Sequence, residues 1–200
     1  LASAENLGGL EVLTGVPGTV GGAIRMNAGT HLGDVSDCLV SLRVLRSDKQ
    51  IEWVPAKEIG LRYRASTLQP DEIVLAARFR ARRVEPGAVG IIIREVKERR
   101  RQTQPLQMPS GGSTFANAEE ERAWKLLDQA GLRGFKEGGA WFSEMHPNFL
   151  VQAGDATAQD MKTLIDIAKQ RVLDQSGILL REEVSRLEPE GWVRKEQGTW

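Results

Sequence analysis

A glycine-rich stretch lies at residues 15–23 of the sequence, Gly15-Val16-Pro17-Gly18-Thr19-Val20-Gly21-Gly22-Ala23. Glycine backbone makes tight turns and lets a phosphate group or a flat ring come close to the exposed N–H groups. The spacing matches neither G-x-G-x-x-G nor G-x-x-x-x-G-K-[ST]. From the glycines alone, the segment is therefore either a ligand-binding loop or a structural loop that enters a helix at residues 20–27.

Outward from this stretch, the sequence predicts strands and helices in mixed order. Apolar and polar residues alternate where strands are expected, and apolar residues recur at helical spacing elsewhere. Asn117 with Glu120, and Thr157 with Asp160, are typical helix caps, and Gly131 and Gly177 end those helices. The predicted strands are 40–44, 51–54, 75–81 and 148–152, and the predicted helices are 89–101, 117–131 and 157–177. Leu75, Ala77 and Phe79 are expected on one strand face.

Composition and charge exclude several classes of protein. The 200 residues carry 27 basic and 27 acidic side chains, so a general nucleic-acid binder is disfavoured. A single cysteine, Cys38, excludes a disulfide framework and a zinc site built on several thiolates. Two histidines, His31 and His146, indicate no metal site. No apolar run is long enough to span a bilayer, so we expect a cytoplasmic protein without a membrane partner.

Three further segments could carry chemistry. Tyr63-Arg64 pairs an aromatic ring with a guanidinium fork that suits a carboxylate or phosphate, although in an extended segment the two would face opposite ways. The loop Pro109–Phe115 holds Ser113 among small residues, with no histidine near it in sequence. Glu182-Glu183 could supply a general acid. Each segment also has a purely structural interpretation. Tyr63-Arg64 could belong to an edge strand, Pro109–Phe115 could be a simple turn, and Glu182-Glu183 could be a solvated carboxylate pair.

The order of these segments, more than any one of them, resembles the MurB family of UDP-N-acetylenolpyruvoylglucosamine reductases, from about Ala4 to Leu187. The motifs that carry the resemblance are Gly9-Leu10-Glu11, the glycine-rich stretch, Met26-Asn27-Ala28-Gly29, Tyr63-Arg64-Ala65-Ser66, Arg100–Pro105, Pro109–Phe115, Ala130–Gly134, Gly138-Gly139-Ala140, Ser143-Glu144, His146, Asn148-Phe149 and Glu183-Val184.

The resemblance implies a flavoenzyme. NADPH would reduce FAD, and the flavin would pass hydride to UDP-N-acetylglucosamine enolpyruvate to give UDP-N-acetylmuramate. It implies that Arg64 stabilises the substrate carboxylate as charge develops, that Glu183 assists from the other side, and that Ser113 donates the final proton. Tyr63 and Asn117 would hold the substrate. The cofactor would lie against the glycine-rich segments, through Pro17, Gly18, Thr19, Gly21, Gly22 and Gly29.

It also implies an α+β (mixed α/β) fold with two domains, in a monomer. Residues 1–103, joined by the tail 179–200, would form the second lobe of a two-lobed FAD-binding domain of the vanillyl-alcohol-oxidase type. Residues 104–178 would form a smaller α+β substrate domain. The family's first FAD lobe would precede Leu1 and is not in this sequence. Three alternatives remain: a truncated, non-catalytic homologue that binds a UDP-sugar without flavin, a flavoprotein with another substrate, and RNA binding through Arg99–Arg101.

Overall fold

The computed structural model describes residues 1–188 and 191–192, which fall into two compact units. The first unit comprises residues 1–99 and the second comprises the described residues from 100 onward. The division falls inside one helix, four residues before the expected boundary at 103–104. Each unit is a mixture of helices and strands, in agreement with the predicted class.

The first unit is built on a three-stranded antiparallel sheet of order β5-β4-β6. Its elements are β1 (Leu7–Gly8), α1 (Val20–Arg25), β2 (Gly29–Thr30), β3 (Gly33–Asp34), β4 (Leu39–Leu45), β5 (Ile51–Pro55), β6 (Ile73–Phe79), β7 (Arg82–Arg83) and α2 (Ala88–Thr103). Leu42 and Val44 of β4 pack with Val54 of β5 and Ile24 of α1 in one buried cluster. β4 pairs with β5 in antiparallel orientation, and the helix predicted over 89–101 is confirmed.

One strand differs from its predicted face. Arg43 pairs with Ala76 and Val44 pairs with Val74, so Leu75 is an extra residue in β6. Such a bulge turns the side chains that precede it to the other face. Val74, Ala77 and Phe79 therefore pack against the core, while Leu75 is 47% exposed. Placing Leu75 inside was wrong because strict alternation takes no account of a bulge.

The second unit is a four-stranded antiparallel sheet of order β8-β11-β10-β9 that packs with two helices. Its elements are β8 (Ser110–Ser113), α3 (Ala123–Gln129), β9 (Lys136–Glu137), β10 (Ala140–Phe142), β11 (Phe149–Gln152), α4 (Ala158–Ser176), β12 (Leu187–Glu188) and β13 (Gly191–Trp192). The predicted capping box of Thr157 and Asp160 and the left-handed cap at Gly177 are confirmed at the two ends of α4. Leu164 and Ala168 of α4 are fully buried.

Helix α3 begins later than predicted. Asn117 was expected to cap a helix with Glu120 at its third position, but the helix starts at Ala123 after Arg122. The Asn117 side chain still serves this helix, because its Oδ1 accepts from the Ala123 N–H at 3.1 Å. The five residues between them form no helix, so a cap signal in the sequence placed the helix start too early.

The tail returns to the second unit as far as it is described. Ala116 N donates to Arg181 O at 2.9 Å, and Glu183 N donates to Thr114 O at 2.8 Å. These bonds place residues 181–184 beside the end of β8. The expected return of residues 179–200 to the first unit is therefore corrected for 179–188, because backbone pairing holds them in the second; residues 189–190 and 193–200 lie outside the described residues.

Among the described helices, none is long and apolar enough to cross a membrane.

Candidate functional site

The glycine-rich stretch forms an exposed turn followed by a short helix. Thr19 Oγ1 accepts from Gly22 N at 3.1 Å and caps α1, which ends at Arg25 rather than Asn27. Gly18 has φ +105°, and apart from its two chain neighbours no described residue has an atom within 4 Å of where its Cβ would be. Gly22 is exposed on α1. Pro17 and Thr19 are also exposed, so the backbone here is open to a ligand.

Gly29 has a different environment. A Cβ on this residue would lie 2.7 Å from Asp34 Cα and collide with the β3 backbone opposite. The close approach of β2 to β3 therefore requires glycine at this position. Gly21 is intermediate, because its Cβ would meet Val74 Cβ at an ordinary 3.5 Å.

Tyr63 and Arg64 lie in a tight turn between Arg62 and Ala65, whose backbones form a β-bridge. Arg64 has φ +55°, a left-handed conformation that is unfavourable for a residue with a Cβ. The turn places the guanidinium carbon 5.0 Å from the centre of the Tyr63 ring. Arg64 Nη2 also donates to Gly29 O at 3.4 Å. The opposite orientation expected for an extended segment is therefore replaced by contact between the two side chains.

Asn27 fixes this turn, and sequence reasoning gave it no role. The residue is 2% exposed, its Nδ2 donates to Arg62 O at 3.1 Å, and its Oδ1 accepts from Ser36 N at 3.0 Å. One buried amide thus links the segment after α1 to the turn that carries Arg64. A polar residue between the apolar Met26 and Ala28, ahead of Gly29, was the available signal.

Ser66 ends the same turn and has an unusual environment. Its side chain is 1% exposed, and its hydroxyl makes no hydrogen bond within the described part of the chain. Buried hydroxyls are normally paired, because an unpaired one loses its hydration without compensation. Within the first unit the structure therefore brings together Arg64, Tyr63 and the Gly29 carbonyl. Two residues after Arg64 in sequence, Ser66 carries a buried hydroxyl without a partner in the described part of the chain.

In the second unit, Ser113 and Glu183 lie on adjacent backbone segments. Ser113 is the last residue of β8, and the Glu183 N–H bonds to the next residue, Thr114. Ser113 is partly exposed, and its hydroxyl makes no hydrogen bond to any described residue. Nearby, Asn148 is 4% exposed; its Oδ1 accepts from Phe115 N at 2.9 Å, and its Nδ2 donates to Phe115 O at 2.7 Å. Asn148 thereby fixes the backbone beside Ser113.

His146 is half-buried between aromatic rings at the turn before β11. Its ring centre lies 4.9 Å from that of Phe149 and 6.5 Å from that of Trp124. Its Nδ1 accepts from Asn148 N at 3.3 Å. Burial, with a smaller contribution from the positive charge of Arg133, lowers the pKa of His146 below its usual value. The geometry thus favours a neutral imidazole.

This shift predicts that the second unit loses stability in mild acid. Between the lowered pKa of His146 in the folded state and its value of about 6.5 in the unfolded chain, the unfolded state binds more protons, so the free energy of unfolding decreases as pH falls below about 6.5. We expect His146→Asn, which keeps an acceptor, to show a smaller loss between pH 7.5 and 5.5 in urea titrations. His31→Asn is the control, and an equal loss in wild type and His146→Asn would contradict the prediction.

Together, the two units define a mixed α/β protein with an exposed glycine turn in one unit and a serine-bearing sheet in the other. Residues 104–187 match the family model of the UDP-N-acetylenolpyruvoylglucosamine reductase C-terminal domain. The resemblance to the MurB family is thereby confirmed for residues 104–187, which are similar to that C-terminal domain.

Whole-chain similarity extends beyond this domain. The chain is 43% identical over 190 residues to the UDP-N-acetylenolpyruvoylglucosamine reductase of Nitrobacter hamburgensis. This alignment covers 93% of this chain and 61% of that protein. The UDP-N-acetylenolpyruvoylglucosamine reductase of Rhodospirillum rubrum is 41% identical, and the alignment covers 94% of this chain and 60% of that protein. The crystal structure of the Thermus caldophilus reductase superposes with a TM-score of 0.80 at 35% identity, covering 91% of this chain and 65% of that one. The chain thus spans about three fifths of the length of these relatives.

Proposed function

We propose that this chain contributes to an FAD-dependent reductase that uses NADPH to convert UDP-N-acetylglucosamine enolpyruvate into UDP-N-acetylmuramate, a step in peptidoglycan synthesis. The names of its relatives and its motif set support the reaction class. With this function we propose a cytoplasmic monomer that acts on a nucleotide sugar rather than on nucleic acid or a membrane. In domain terms, residues 1–99 would be the second lobe of a vanillyl-alcohol-oxidase-type FAD domain.

The turn at Arg64 is the observation that carries the proposal. A left-handed arginine stores backbone strain, and such residues cluster at functional sites. Asn27 holds the turn, and the guanidinium contacts Tyr63 and Gly29. A guanidinium fixed in this way suits a carboxylate whose negative charge increases during a reaction. The enolpyruvyl group carries such a carboxylate.

The first unit fits a flavin cofactor in two respects. Gly18 and Gly22 offer exposed backbone that a flat or phosphorylated group could approach, and Ser66 has a buried hydroxyl without a partner in the described chain. We propose that Pro17, Gly18, Thr19, Gly21 and Gly22 hold the cofactor, whereas Gly29 acts through the β2–β3 approach. When bound, FAD supplies hydride transfer from NADPH to the enolpyruvyl double bond.

The protein residues would control charge and protons. Arg64 would stabilise the substrate as negative charge moves onto its carboxylate, and Glu183 would assist from the other side. The Ser113 hydroxyl would donate its proton from Oγ to the carbon next to that carboxylate, which completes the saturated product. Tyr63 and Asn117 would hold the substrate. Asn117 binds Ala123 N through Oδ1, so its position is set by the start of α3.

Flavin retention tests the proposal, and the chain offers a matched pair of glycines. We expect the purified chain to retain FAD absorbance after gel filtration and to bleach with NADPH. Gly22→Ala adds a methyl group 3.4 Å from Thr19 Oγ1, within a helix, where alanine is favoured over glycine by up to about 1 kcal/mol. The variant should fold as well as wild type but bind FAD at least about tenfold more weakly, because the methyl group would block close approach of the cofactor.

Gly90→Ala is the control, because Gly90 is also helical and its nearest atom, Arg94 Nη1, would lie 3.7 Å from the new Cβ. It should gain similar stability without loss of FAD. Equal FAD affinity in both variants would refute the assignment of Gly22. A wild-type chain that binds UDP-N-acetylglucosamine but no flavin would instead support the non-catalytic alternative.

A further inference from the structure

A cavity of about 340 Å³ lies within the second unit, between the first turns of α4, strand β11 and the tail. Its lining is mainly apolar and includes Leu150, Met161, Ile165 and Val184. This volume is at the lower end of the range typical of small-molecule sites, about 300–1,000 Å³. None of the residues to which we assign catalysis or cofactor binding lines the cavity.

Two cations line this apolar cavity, and one of them has no partner among the described residues. Lys162 is half-buried and forms no hydrogen bond or ion pair with any residue that the structure describes. Arg186 also lines the cavity and bonds to Glu182 at 3.3 Å. Glu182 additionally pairs with Lys169 at 3.1 Å, so two cations share its single charge. Two of the side chains that line the cavity are therefore cationic, and none of its lining residues is acidic.

No acidic side chain in the described part of the chain forms an ion pair with Lys162. Asp160, in the same turn of α4, accepts from Thr157 N at 2.8 Å and Gly139 N at 3.5 Å as part of the capping box. Asp166 is exposed one turn further along and forms no ion pair with a described residue. A half-buried lysine beside apolar walls is most favourable when an anion desolvates together with it.

We propose that this cavity binds a small anionic amphiphile, a carboxylate with an unbranched apolar chain of about eight carbons. The chain would lie against Met161, Ile165 and Leu150. The carboxylate would accept from Lys162 Nζ, with Arg186 adding positive charge. None of the residues that line the cavity is assigned to the flavin or the nucleotide sugar, although Thr114 and Val184 adjoin Ser113 and Glu183 in sequence.

Amide NMR titration of the full chain with octanoate tests the site, with n-octanol as the neutral probe of the same chain length. Octanoate should cause saturable shifts at Gly111, Lys162 and Val184 and bind about tenfold more tightly than octanol, the usual effect of one charge-assisted contact. Lys162→Gln should remove that tenfold preference. Lys125→Gln, at an exposed lysine paired with Glu121 in the same unit, should retain it.

A blocking variant separates cavity binding from surface binding. Ala158 is exposed at the start of α4 and lines the cavity, so Ala158→Phe should fill it and abolish the shifts with both probes, without loss of folding. Equal affinity for octanoate and octanol, unchanged selectivity in Lys162→Gln, or shifts that persist in Ala158→Phe would each overturn the proposal. FAD retention is measured independently, so failure here leaves the proposed function untouched.

Discussion

Replacing Ser113 by alanine is expected to suppress substrate reduction about 10²- to 10⁴-fold while leaving flavin reduction by NADPH nearly intact. This is the usual contribution of a positioned proton donor. The hydroxyl lies at the end of β8 without a competing hydrogen bond to any described residue, so it is available to donate. Stopped-flow absorbance, with NADPH first and substrate second, measures the two half-reactions separately in the FAD-loaded chain.

Ser110→Ala is the matched control, since Ser110 begins the same strand and its Oγ accepts from Gly112 N at 3.2 Å. It should retain both half-reactions. Equal substrate reduction in Ser113→Ala and wild type would remove Ser113 from the proton-transfer step. Loss of both half-reactions in Ser113→Ala would indicate a structural role instead.

Replacing Asn148 by alanine is expected to destabilise the second unit by about 3 kcal/mol, because the change leaves both the N–H and the C=O of Phe115 buried without partners. Each such group costs about 1–3 kcal/mol, and the wild-type side chain is 4% exposed, so water cannot replace it freely. Urea unfolding followed by tryptophan fluorescence gives the free energy of unfolding.

Gln170→Ala provides the comparison, since Gln170 is exposed on α4 and bonds only to Asp174 among the described residues. Its effect should stay within about 0.5 kcal/mol of wild type. A loss below about 1 kcal/mol in Asn148→Ala would show that Phe115 finds other partners. Because Phe115 lies two residues from Ser113, Asn148→Ala should also lower substrate reduction more than flavin reduction.

Sequence patterns predicted the fold best where local chemistry determines the outcome. The capping box and terminal glycine of α4 are local signals, and both ends of that helix were correct. The bulge at Leu75 depends on the pairing of β6 with β4, which are distant in sequence. The late start of α3 involves the bond from Ala123 N to Asn117 Oδ1 six residues earlier, a spacing that the cap motif does not predict. The pairing of residues 181–184 with 114–116 also joins segments that are distant in sequence. No turn motif and no hydrophobic periodicity in the sequence predicts this pairing.

The order of the motifs predicts which residues are candidates for the site, but it does not predict how their side chains are arranged. The sequence places Tyr63 next to Arg64, yet only the left-handed turn brings the guanidinium over the ring. Asn27 and Ser66 belong to motifs that the sequence shows, but only the structure shows that both residues are buried. Gly29 illustrates the reverse case: a glycine grouped with ligand-binding residues is required by the approach of two strands.

The backbone at Arg64 also bears on any attempt to make this protein more heat-resistant. A residue with a Cβ in the left-handed region costs roughly 1 kcal/mol or more, whereas glycine adopts it freely. Optimising thermal tolerance alone would therefore favour glycine at position 64 and discard the guanidinium. The position is a local compromise between durability and activity, and thermostabilising substitutions should be sought elsewhere in the chain.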